Sequence, residues 1–88
     1  MTLKENIVAG RRVMVNNRNN GKLNNHVAIM PEHGAGLSSF PAPDGMILTI
    51  LAAPKRDKNG INCVKVSYAD GMVGYVYYTH MRYSTEEI

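Results

Sequence analysis

The chain has no tryptophan and only one cysteine, Cys63, among its 88 residues. A lone cysteine excludes an intramolecular disulfide framework, so packing alone must hold the fold, as suits a reducing compartment. Long hydrophobic runs are also missing. The most apolar stretch, MILTILAA at 46–53, falls far short of the roughly 20 residues that span a bilayer. The opening MTLKENIVAG lacks a sustained apolar segment and does not resemble a secretion signal. These absences predict a small soluble protein of the cytoplasm with no membrane contact.

Catalytic and metal-binding patterns are absent as well. No C-x-x-C, H-E-x-x-H or calcium-loop spacing occurs, and His26, His33, His80 and Cys63 are scattered. Neither a metal nor another cofactor is expected. Gly34-Ala35-Gly36 has no lysine and following helix to make a phosphate cradle. Glu32, Asp44, Asp57 and Asp70 fall in loops or turns rather than as a facing pair. With no nucleophile, base and orienting group in one pattern, an enzyme is not expected.

What is there reads as strand. Chain length allows one small domain, 1–88. Val13 and Val15 alternate with Arg12 and Met14, and HVAIMP at 26–31 makes a second short strand ended by Pro31. Between them NNRNNGKLNN has six asparagines in ten residues. Asparagine competes for backbone hydrogen bonds, so the segment predicts a long hairpin connection. Residues 32–45 hold three glycines and two prolines and read as a loop, with Leu37 and Phe40 tucking back over a core edge. In 46–53, Met46, Leu48 and Ile50 share one face and Ile47, Thr49 and Leu51 the other. Both faces carry apolar residues, which suits a strand covered by its own core on one side and by a loop or a second copy of the chain on the other.

The final third alternates most clearly. INCVKVSY sets Val64, Val66 and Tyr68 against Cys63, Lys65 and Ser67, and MVGYVYY runs back after Asp70-Gly71, a type I′ turn pair. Asn59-Gly60 marks another hairpin. THMRYSTEEI is too short and polar for an independent helix and predicts one 3₁₀ turn at 78–81. The sum is an all-β fold of about five short antiparallel strands with long loops, a small barrel or sandwich.

Val64-Lys65-Val66, Asp70-Gly71, Gly74-Tyr75-Val76 and Met81 together resemble the end of an SH3-like barrel, closest to bacterial SH3 domains over residues 60–82. The resemblance implies an SH3-like barrel, and a groove for peptides beside the 3₁₀ turn, which falls here at Tyr77 to His80. Position 77 is tyrosine where peptide-binding members usually carry proline, and position 80 is histidine where they usually carry tyrosine, which speaks against a proline-rich partner.

Two functional readings follow. In the first, Val76 points inward and Tyr75 and Tyr77 point outward. Tyrosine offers apolar area and a hydroxyl at low entropic cost, which suits recognition. The protein is then a non-catalytic binding module, an accessory or inhibitory subunit that docks a partner protein through Tyr75, Tyr77 and His80, with Phe40 as a neighbour. In the second, the net charge of +3 matters. Arg11, Arg12, Arg18 and Lys22 contact phosphates while Tyr77 meets bases, as in nucleic-acid-binding barrels of KOW or Tudor character.

Overall fold

Period-two alternation becomes strand throughout the computed structural model, which describes residues 7–17 and 26–88. The strands are β1 (Arg12–Val15), β2 (Ala28–Met30), β3 (Phe40–Pro41), β4 (Ile47–Ile50), β5 (Lys55–Arg56), β6 (Asn62–Tyr68), β7 (Met72–Tyr77) and β8 (Thr85–Glu87). One short helix, α1 (Tyr78–Tyr83), separates β7 from β8. All pairings are antiparallel, in the order β3-β2-β7-β6-β4-β1-β8, with β5 joined to β6. The all-β antiparallel class therefore holds. Among the described residues the strand count is eight rather than about five, and the end strands β3 and β8 do not pair with each other, so the barrel is not closed.

One buried cluster gathers the inner faces of the strands. Val13 and Val15 of β1, Ile29 of β2, Leu48 and Ile50 of β4, Val64 and Val66 of β6 and Val76 of β7 all point to it. Met81 of α1 is fully buried in the same cluster. Each strand is too short to bury much alone, and the shared inner face removes apolar area from water at about 25 cal/mol per Å². Ile7, which the sequence pattern left unassigned, joins this core.

The β6–β7 hairpin has the register expected of it, running from Cys63↔Tyr77 to Tyr68↔Met72. Asp70 and Gly71 both take positive φ, 60° and 79°, and the Met72 N–H donates to the Ala69 carbonyl. That is the type I′ geometry, whose twist suits a hairpin. Gly74 admits β2: a Cβ there would lie 2.5 Å from Ile29 Cγ2 and 3.0 Å from the Met30 carbonyl oxygen. The β5–β6 turn is centred on Asp57, whose Oδ1 accepts from the Asn59 and Ile61 N–H groups, and Gly60 rather than Asn59 takes positive φ.

Three sequence expectations are corrected. The segment at 16–25 is no hairpin connection, because β1 pairs with β4 and β8 while β2 pairs with β3 and β7. At its described start, the Asn17 side chain accepts from the Val27 N–H and donates to the Ala42 carbonyl, tying the crossover to β2 and to the loop after β3. Residues 78–83 form α-helix rather than a single 3₁₀ turn, because Met81 gains a buried seat that propensity alone does not register. Leu37 does not tuck back but is fully exposed. Among the described residues, no helix is long and apolar enough to cross a membrane.

Candidate functional site

The outer face of β6 and β7 is chemically unlike the inner one. Opposed residues on paired strands point the same way, so Cys63 and Tyr77 form one row and Lys65 and Tyr75 the next. Met30 of β2 stands opposite Tyr75 and extends the second row. Cys63 and Met30 are buried although they lie outside the main core cluster. The loop between β2 and β3 reaches this face, where the Gly34 N–H meets Cys63.

That loop touches both tyrosines. The His33 ring packs at 5.7 Å from the Tyr75 ring, and the His33 Nε2–H donates to the Ile61 carbonyl at 2.9 Å. Further along, Gly36 comes so close to the Tyr77 hydroxyl that a Cβ would lie 2.5 Å from it. Tyr77 also meets the His80 ring edge-on at 5.3 Å. Tyr75 and Tyr77 are consequently half-buried rather than freely held out. The structure brings Tyr75, Tyr77 and His80 to one end of the sheet. Phe40 packs instead on Tyr68 at 5.6 Å.

Beside Tyr75 the cover stops and a cleft of about 500 Å³ opens. Ala52, Ala53 and Tyr75 give it apolar walls, Lys55 and Lys65 are exposed at it, and His33, Asp57 and Cys63 complete it. Sequence reasoning missed Lys55, Lys65 and Asp57. The alternation that turned Tyr75 outward also turned Lys65 outward, and this was the available signal.

Among the described residues, three groups have displaced titrations. The Ile61 N–H holds the Asp57 carboxyl below the usual carboxylate range, with help from the Asn59 N–H and His33 and against a smaller effect of burial. Burial pushes the Cys63 thiol up, and the Gly34 N–H only partly offsets this. Cys63 is thus a neutral packing residue of an interior strand, not an edge residue and not a poised thiolate. Burial also lowers His80, with nearby His26 adding to the effect. Its Nδ1 is buried without a hydrogen-bond partner. His33 Nε2 approaches Asp57 Oδ2 at 3.8 Å. Among the described residues, no three histidine, cysteine, aspartate or glutamate side chains converge to hold a metal ion.

The basic residues of the second reading lie elsewhere. Arg11 pairs with Glu87 at 3.1 Å, and Arg12 is exposed on β1, separated from Tyr77 by β6 and β4 in the sheet order. Arg18 and Lys22 lie outside the described residues. Asn16 donates to Glu86 at 2.9 Å, so it and Asn17 serve the fold.

Compared with known protein families, curated proteins and solved structures, the chain matches none of them. What can be stated of its class comes from its own fold: a small, antiparallel all-β domain with one short α-helix among the described residues.

Proposed function

We propose that the protein is a non-catalytic, SH3-like binding module, an accessory or inhibitory subunit that docks a partner protein through the outer face of β6 and β7. The observation that carries this reading is the open cleft beside Tyr75, where a half-covered aromatic ring meets small apolar walls and two exposed lysines. Interfaces favour an aromatic anchor with a polar rim, and tyrosine at such a site brings area without much rotamer loss. Tyr77 and His80 continue the face under the glycine loop.

Affinity capture from the native cell, run with the parent and with a Tyr75→Ala/Tyr77→Ala variant, tests the reading. The expected result is a partner that binds the purified parent in defined stoichiometry and is lost by the folded variant. Equal recovery by both proteins would place docking on another surface.

A further inference from the structure

The cleft beside Tyr75 carries two cations without counter-ions. Lys55 and Lys65 are exposed, and neither pairs with a carboxylate among the described residues. The acidic group on the cleft, Asp57, is already engaged: Oδ1 accepts from two backbone N–H groups and Oδ2 lies near His33. Its charge is largely spent within its own turn.

The spacing of the lysines is specific. Lys55 stands opposite Cys63, and Lys65 lies two residues further along β6. Diagonal positions of this kind are about 7–8 Å apart on one face of a sheet. An extended peptide directs side chains i and i+2 to the same side at a similar spacing, roughly 6.6–6.8 Å.

Building on the protein-docking reading, we propose that this face takes an extended acidic segment with carboxylates at alternating positions. One carboxylate meets Lys55 and the next meets Lys65, while a flanking apolar side chain rests on Tyr75 and the alanine wall. A second copy of this chain is a poorer occupant, because face-to-face pairing brings the same unpaired lysines together. A nucleic-acid strand is poorer too. It carries charge at every residue, whereas the lining of the cleft offers two discrete cations, Lys55 and Lys65.

The probe is a blocked, labelled hexapeptide alternating glutamate with alanine, compared with its glutamine counterpart and with a single-stranded oligonucleotide of equal charge. The glutamate peptide should bind, weaken with added salt, and bind at least about tenfold better than the glutamine peptide. Lys55→Glu/Lys65→Glu should lose at least about tenfold while melting as the parent does. If charge reversal disturbs the fold, Lys55→Gln/Lys65→Gln serves instead, with a smaller loss in the same direction. No binding of the glutamate peptide, equal binding of both peptides, or binding unchanged by the lysine variants overturns the inference. Tighter binding of the oligonucleotide overturns it in favour of nucleic acid. A cellular partner lost by the tyrosine variant but kept by the lysine variant overturns only the acidic inference. Retention by both variants overturns the docking face itself.

Discussion

The two faces of the β6–β7 hairpin are made by the same thirteen residues of strand, seven in β6 and six in β7, yet they are finished differently. The inner face sets Val64 opposite Val76 and Val66 opposite Gly74, all of them buried and sealed by strands from the rest of the chain. The outer face sets Cys63 opposite Tyr77 and Lys65 opposite Tyr75, and among the described residues the β2–β3 loop lies over it, with His80 of α1 against Tyr77. On this face Cys63 and Met30 are buried, the tyrosines are half-covered and Lys65 stays exposed. A face closed by many strands belongs to stability. A face closed by one loop keeps area for something else.

Breaking the inner face should have the largest effect. Val66→Asp places a carboxylate in a fully buried site with no partner, a change of the kind that costs more than about 4 kcal/mol against a typical total of roughly 5–15 kcal/mol. Circular dichroism should show loss of the fold. Gly74→Ala comes next. Its Cβ meets Ile29, the Met30 carbonyl and Tyr68, so β2 must shift away from β7 at a cost of about 1–3 kcal/mol, read by denaturant titration.

The outer face should respond in binding more than in stability. Tyr75→Ala is expected to weaken partner binding by about 2 kcal/mol, with a smaller change in melting temperature than Gly74→Ala produces. An equal or larger loss of stability would mean that both faces serve the fold, and the contrast would fail.

The smallest effect concerns His80. Its pKa in the fold lies below the ordinary value of about 6.5 because burial disfavours the imidazolium. The unfolded chain therefore takes up a proton first as the pH falls. Stability contributed by the neutral ring is full above about pH 6.5 and declines below it until the folded form also protonates. Melting curves at about pH 7.5 and 5.5 should show this decline, and His80→Gln should reduce it. Binding measured on the same two samples separates a role in docking from one in stability.

Most of the local structure was legible in residues. Alternation of Val13 with Val15, and of Val64 with Val66, identified inner faces because strand side chains repeat every two residues. Asp70-Gly71 announced its turn because positive φ is tolerable there. At the site, the outward direction of Tyr75 and Tyr77 followed from the same alternation. Their partners did not. His33 and Gly36 reach them from a loop more than thirty-five residues earlier in the chain, with no periodic signal.

The sequence by itself determined the strand character and the sidedness of β1, β4, β6 and β7, though not α1 or the short strands β3, β5 and β8, since alternation depends on near neighbours in the chain and needs several residues to show. Only the tertiary structure decided that β2 crosses to β7 rather than folding back on β1, and that β8 returns to pair with β1. It also decided that Lys55 and Lys65 come to a common cleft with Tyr75. Such pairings are chosen by whichever distant surfaces bury the most apolar area with their backbone groups satisfied. That competition runs over the whole chain at once, and no short stretch of residues records its outcome.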